Sequence, residues 1–252
     1  MKIDKPICLI ELFAGIGSQA MALRDLGANF EYCRVIEFDK YAINSYNSIH
    51  NTQFKTTDIT AVSGGAFLLN KENYTYILTY SFPCQDISVA GKGKGYTKGD
   101  NTRSGLLWEV ERILNEMDEL PDILLMENVK QVHGKRHRKN FEKWISFLDS
   151  KGYESKWFDL NAKDYGVAQN RERCFMVSVL KDTMGHNDFE IPEPIELRFI
   201  MKDYLEDEVA DKYYINSDRA SNLISQLIEN GSVPDPNDPN DPNFAERERA
   251  LI

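Results

Sequence analysis

Only four of the 252 residues are cysteine. Cys8, Cys33, Cys84 and Cys174 lie far apart, with no CxxC pair and no histidine at metal-ligand spacing beside them. That pattern argues against a zinc site or any other metal centre and against a disulfide framework, and a reducing cytosol is the expected compartment. Long apolar runs are also missing. No stretch approaches the ~18 consecutive apolar residues of a bilayer span, and the first residues, MKIDKPICLIELFAGIG, lead into glycines rather than a cleavage site, so neither membrane insertion nor export is expected. Positive charge is in short supply as well: 30 Lys and Arg stand against 40 Asp and Glu, a formal charge of -10, which taken whole speaks against a polyanionic partner. The deficit is local. Residues 1–181 hold 24 basic and 23 acidic side chains, whereas residues 182–252 hold 6 and 17.

What is present is enough for a core, since 42% of the chain is apolar, and a globally disordered state is excluded. Over the first 180 residues short apolar runs alternate with amphipathic stretches, the pattern of a βαβ series and of a mostly parallel sheet covered by helices on both faces. Strands are predicted at 6–12, 32–36, 76–80, 123–126, 153–160 and 173–179, and helices at 18–26, 40–49, 104–116 and 140–151. In the third helix Leu106, Leu107, Val110, Ile113 and Leu114 follow the spacing of a buried stripe. Beyond Lys181 the character changes, with prolines at 192 and 194, helices expected at 197–205 and 218–229, and then a PNDPNDPN run that denies helix and ladder hydrogen bonds. The chain therefore divides into three segments: 1–181 as the main α/β domain, 182–231 as an acidic connector with short helices, and 232–252 as linker and tail.

Phe13-Ala14-Gly15-Ile16-Gly17 leaves the first strand and enters a helix, where glycine lets the backbone approach a ligand and the helix start offers free N–H donors. Glu37, 20 residues beyond Gly17 at the end of the second strand, can accept from both hydroxyls of a ribose. The dinucleotide fingerprint is incomplete because Ala20 occupies its last position, so a nucleoside-bearing cofactor is favoured over a dinucleotide. Asp58 is expected at the edge of the third strand, placed either to accept from an adenine amino group or simply to sit solvated in a loop. Cys84, in Ser81-Phe82-Pro83-Cys84-Gln85, comes directly after the strand YILTY and stands where open α/β sheets bind ligands. The polar residues beyond it do not suit a core, so it reads as a nucleophile. Cys8, Cys33 and Cys174 read as buried structural cysteines.

With FAGIG, Glu37, Asp58, Pro83-Cys84, Glu127-Asn128-Val129 and Gln169-Asn170-Arg171-Glu172-Arg173 in this order, the chain resembles the cytosine-5 DNA methyltransferases of bacteria and phages over about residues 7–180. The resemblance implies a Rossmann-like α/β fold with S-adenosylmethionine as cofactor. It implies that the Cys84 thiolate adds to C6 of a flipped-out cytosine while Glu127 serves N3 and the exocyclic amine. Arg171 and Arg173, alternating on one face of the last strand, would hold the cysteine loop, a phosphate and cytosine O2. Phe13, Gly15, Ile16, Gly17, Glu37, Phe38, Asp58, Ile59, Pro83 and Leu106 would line the cofactor site. Gln85, Ser88, Lys92, Lys94, Lys98, Arg103 and Gln169 would meet DNA, the lysines from a glycine-rich lid.

The implied partner is double-stranded DNA in a bacterial or phage-infected cytoplasm. Target-recognition loops rich in Arg, Gln and Asn are not visible after Lys181, so recognition is expected from a missing module or a second polypeptide. Methylation of RNA cytosine and a non-catalytic nucleoside-binding subunit are the alternatives.

Overall fold

The computed structural model describes residues 3–88, 94–206, 208, 210–213 and 217–233. The chain divides into two compact units, Met1–Leu160 with Glu172–Ile191, and Asn161–Arg171 with Pro192–Ile252.

The first unit is built on a six-stranded sheet in the order β2-β1-β3-β4-β6-β5. Its strands are β1 (Ile7–Leu12), β2 (Phe30–Ile36), β3 (Thr75–Tyr80), β4 (Ile123–Asn128), β5 (Tyr153–Asn161) and β6 (Glu172–Leu180). β1 runs parallel to both β2 and β3, and β3 parallel to β4, whereas β6 runs antiparallel to β4. Every residue of β1 is buried, as expected of a central parallel strand covered on both faces. On one face Cys8, Ile10 and Leu12 join Leu124 and Met126 of β4 beneath α3 (Leu107–Glu116) and α4 (Arg138–Ser150). On the other, α2 (Lys40–His50) packs Ile43 and Tyr46 against Ala14 and Val35. Further along that face, Ile123, Val177 and Val179 are covered by Met184 of the short α5 (Lys181–Met184) and by Phe189.

Helix boundaries reflect local chemistry. α1 (Ser18–Asp25) starts after Gly17, which holds the left-handed conformation at φ 82°. The Asp39 carboxylate caps α2 by accepting from the Tyr41 and Ala42 amides, each at 2.8 Å. The helix predicted at 104–116 begins as a 3-10 turn, Ser104–Leu106, before continuing as α3. Leu107, Val110, Ile113 and Leu114 form its buried stripe, with Leu106 only partly covered at the cap.

Four expectations are corrected. Cys8 and Cys33 are joined as a disulfide, because parallel pairing of β1 with β2 sets their Cα atoms 5.5 Å apart; sequence spacing alone could not show that adjacency. Cys33 is exposed on the edge strand rather than buried. Asp58 does not border a strand: it caps a 3-10 turn, Ile59–Ala61, accepting from the Thr60 amide at 2.9 Å. The helix predicted at 197–205 shrinks to a 3-10 turn, Met201–Tyr204.

In the second unit, the loop 161–171 is closed by the Arg171 amide donating to Asn161 Oδ1 at 3.0 Å, and Tyr165 bridges to Ile195. α6 (Asp218–Glu229) is capped by Ser217. No helix among the described residues is long and apolar enough to cross a membrane.

One buried charge stands out in the core. Glu11 of β1 is fully buried, accepts from Tyr46 Oη at 2.5 Å, and leaves Oε1 without a hydrogen-bond partner. Burial pushes its carboxyl up to about 7, against smaller opposing effects of Tyr46 and the Ala20 amide. The folded state therefore holds an extra proton between the unfolded carboxyl value near 4.5 and about 7. This group's contribution to stability declines as pH rises through that window, by on the order of 3 kcal/mol in total. Urea midpoints measured from pH 4.5 to 8 should show this decline in the wild type and a flatter profile in Glu11→Gln.

Candidate active site

The carboxyl ends of β1, β3 and β4 lie side by side, Leu12 opposite Tyr80 and Tyr80 opposite Met126. The turns that leave these strand ends build the site. After β1 the chain turns sharply: Phe13 takes φ 58°, unusual for an aromatic residue, and Gly15 takes φ 58°. A Cβ at Gly15 would meet nothing within 4 Å, so the turn borders open space, whereas one at Gly17 would collide with His50 and Tyr46. Glu37, just past β2, accepts from the Gly15 amide at 2.8 Å through one oxygen and from the Asp39 amide at 2.7 Å through the other. Each oxygen keeps a free lone pair, so a carboxylate oriented by two amides faces the glycine turn. Ile16 and Phe38 are exposed beside it, the latter at 75%. Asp58 stands exposed at its turn, its carboxyl held below the ordinary value by the Thr60 amide and hydroxyl. Ile59, the next residue, is buried and packs in the main core.

The cysteine turn after β3 is held from several sides. At its base Trp144 Nε1 donates to Tyr80 Oη at 3.0 Å inside the core. Asn128, the last residue of β4, donates from Nδ2 to the Phe82 carbonyl at 2.9 Å and accepts the Val129 amide on Oδ1. Ser104 Oγ donates to the Pro83 carbonyl at 2.6 Å and accepts from the Asp86 amide at 3.2 Å. Gln19 of α1 adds a bond to Ser81 Oγ at 3.2 Å. Cys84 sits partly exposed within this turn, and the Ser88 amide closes it onto the Cys84 carbonyl at 2.9 Å.

Glu127 and Arg173 meet at the same end of the sheet. β6 runs antiparallel to β4, so its start lies beside the end of β4, and Arg173 Nε pairs with Glu127 Oε1 at 3.0 Å with both side chains about a quarter exposed. Arg171 does not alternate with Arg173 on the strand as expected. β6 begins at Glu172, and Arg171 with Gln169 belongs to the loop of the second unit, where both are exposed. Asn161 Oδ1 takes up the Arg171 amide, while the Arg171 carbonyl accepts from the Ala162 amide at 3.1 Å.

The glycine-rich segment expected as a mobile lid is anchored over its described residues. Tyr96 is fully buried and donates to the Val132 carbonyl at 2.8 Å, Trp108 Nε1 donates to the Tyr96 carbonyl, and Lys98 pairs with Glu111 at 2.6 Å. An aromatic residue in the loop supplies burial that a run of glycine and lysine would lack. Lys94 is exposed; Arg103 donates to Gln85 Oε1 at 3.0 Å, joining two of the residues expected to meet DNA. Lys92 lies outside the described residues.

Sequence reasoning did not single out Asn128, Ser104 or Gln19 as positioning residues. Asn128 was visible only as a neighbour of Glu127, and nothing in sequence marks Ser104 or Gln19 as partners of a turn so far from them in the chain.

A parallel sheet reversed only at β6, with a glycine turn, an acid after β2 and a cysteine turn at its carboxyl ends, is the Rossmann-like architecture of methyltransferases. Two solved methyltransferase structures share the fold. The Dnmt2 methyltransferase of S. pombe gives a TM-score of 0.67 at 20% identity, covering 88% of this chain and 67% of that one. EhMeth of Entamoeba histolytica gives 0.68 at 20% identity, covering 89% and 66%. The family model described as C-5 cytosine-specific DNA methylase matches residues 7–234, and the chain belongs to that family. The match continues well past residue 180, where the motifs legible by eye end. The chain is 34% identical to the type II methyltransferase M2.ScrFI of Lactococcus lactis subsp. cremoris, over 84% of this chain and 71% of that protein. It is 31% identical to the orphan methyltransferase M.SssI of Spiroplasma monobiae, over 84% and 68%.

If Asn128 holds the cysteine turn, Asn128→Ala should cost about 1–3 kcal/mol, since it leaves the buried Phe82 carbonyl unpaired. Urea denaturation reads that loss, and faster alkylation of Cys84 in the native protein reads the loosened turn.

Proposed function

We propose that this chain transfers a methyl group from S-adenosylmethionine to C5 of a cytosine flipped out of double-stranded DNA, through a covalent bond between Cys84 Sγ and C6. The observation that carries the reading is the convergence of the Cys84 turn and the Glu127–Arg173 pair at one end of the sheet, coupled through Asn128. A thiol alone is a poor catalyst for this substrate, because addition to the ring leaves negative charge on it that must be neutralised. Glu127 supplies an acid at the neighbouring strand end for N3 and the exocyclic amine. Arg173, held by the same carboxylate, presents a guanidinium for O2. Arg171 and Gln169 are read as contacts to the DNA strand, together with Gln85, Ser88, Lys94, Lys98 and Arg103; for Lys98 this means exchanging Glu111 for a phosphate.

The residues around the glycine turn fit a nucleoside-bearing cofactor. The open space at Gly15, the doubly oriented Glu37 carboxylate and the exposed Phe38 face are the features such a ligand needs. Glu37 would take the ribose hydroxyls, Asp58 the adenine amine, and Phe13, Ile16, Gly17, Phe38, Ile59, Pro83 and Leu106 the remaining wall. When bound, S-adenosylmethionine supplies an electrophilic methyl group on a cationic sulfur.

Two outcomes test the proposal. DNA carrying 5-fluorocytosine should form a cofactor-dependent covalent complex, seen as a denaturation-resistant band, and Cys84→Ser should abolish it. No adduct in any cytosine-containing sequence would defeat the proposal. RNA in a parallel arm separates the alternative substrate, and adding a candidate partner chain tests recognition by a second polypeptide. Glu37→Ala should weaken S-adenosylmethionine binding by roughly 10- to 100-fold, the loss of one or two charged hydrogen bonds, measured by calorimetry on protein whose melting shows it folded.

A further inference from the structure

A second cluster of reactive side chains lies behind the site, and methyl transfer as proposed makes no use of it. His133 comes after β4 in a 3-10 turn, Lys130–His133; Asp159 projects from β5; Cys174 is the third residue of β6, opposite Asn128. One ligand atom from each of the three lies within 4.8 Å of the other two. His133 Nε2 stands 2.9 Å from Asp159 Oδ1, and Cys174 is fully buried in the main core. The His133 ring is backed by Phe141, at 5.7 Å between centroids.

We propose that His133, Asp159 and Cys174 bind a thiophilic divalent cation of the zinc class. Thiolate, imidazole and carboxylate are the three donor types that zinc takes, and tetrahedral geometry with bonds of about 2.0–2.3 Å sets donor atoms roughly 3.5 Å apart. Three donors already within 4.8 Å need only small side-chain rotations to reach it. Solvent completes the fourth position from the half-exposed side of His133 and Asp159.

Electrostatics set the cost that the ion must overcome. Burial, then the negative charges of Asp159 and Glu127, push the Cys174 thiol up to about 12. Without a cation the group stays protonated. A divalent ion reverses all three effects, because its charge equals the sum of one thiolate and one carboxylate and leaves a neutral buried centre. As the Cys174 S–H bond breaks, a sulfur–metal bond forms and the proton passes to solvent, so one proton is released for each ion bound. The three ligands come from 133, 159 and 174, a spacing unlike the paired motifs of structural zinc sites, so no sequence pattern marks them. A bound ion would fasten β5 and β6 to the segment just beyond Glu127, away from the cofactor turn.

Cobalt(II) is the probe, added to chelator-stripped full-length protein in which Cys84→Ser removes the other reactive thiol. Expected are one equivalent of cobalt bound, a thiolate-to-cobalt charge-transfer band in the near ultraviolet, its loss on adding zinc, and release of about one proton per ion read by an indicator in weak buffer. Cys174→Ser should abolish the band. Asp159→Asn and His133→Gln, both on the more exposed side, should weaken cobalt binding by roughly tenfold or more with melting temperature unchanged in the absence of metal. A missing band in the Cys84→Ser protein, or a band that Asp159→Asn and His133→Gln leave at full affinity, would overturn the proposal and leave a hydrogen-bonded His–Asp pair beside a structural thiol.

Discussion

The Asn128 side chain is the constraint on which the site depends. It stands at the last position of β4, buried, with its amide spent on the Phe82 carbonyl and its carbonyl on the Val129 amide. The end of β4 is thereby tied to the turn after β3, and the cysteine turn and the acid turn are joined by one buried side chain. Ser104 and Gln19 add further ties from the start of the α3 segment and from α1, so helices and sheet alike hold the turn that carries Cys84. A nucleophile must meet its target within a few tenths of an ångström, and preorganisation of this kind is where folding energy becomes positional accuracy.

The shortage of positive charge takes on a different meaning at this end of the sheet. The cations near the site are largely committed within the protein: Arg173 to Glu127, Lys98 to Glu111, Lys130 to Glu172, Arg103 to Gln85. A polyanion would therefore compete for cations already in weak partnerships. Partly exposed pairs of this kind are worth little by themselves, so exchange for phosphate is energetically accessible. The near-neutral balance of residues 1–181 thus does not oppose an anionic partner.

Much of the first unit was legible because parallel strands, buried on both faces, read as short apolar runs, and all six appear within a few residues of their expected bounds. The signals that failed were those depending on neighbours far apart in sequence. Pairing of Cys8 with Cys33 needs the strand order, and the anchoring of Tyr96 needs α3 and the turn after β4. Asp58 was expected at the edge of the third strand, yet its side chain takes up the Thr60 amide and caps a 3-10 turn instead. Most side chains of the stretch 197–205 are exposed, and only one 3-10 turn of its expected helix forms.

The antiparallel entry of β6 has a consequence for chemistry itself. In a sheet whose other rim-forming strands arrive carboxyl end first, β6 alone begins there, and the diagonal from Arg173 to Glu127 exists only in the register that sets Phe175 against Glu127. Side chains alternate along a strand, so a shift of one residue would turn the guanidinium to the opposite face and put the Cys174 thiol in its place. The hydrogen-bond ladder between two buried strands, which contains no reactive group, thereby decides which side chain stands beside the acid.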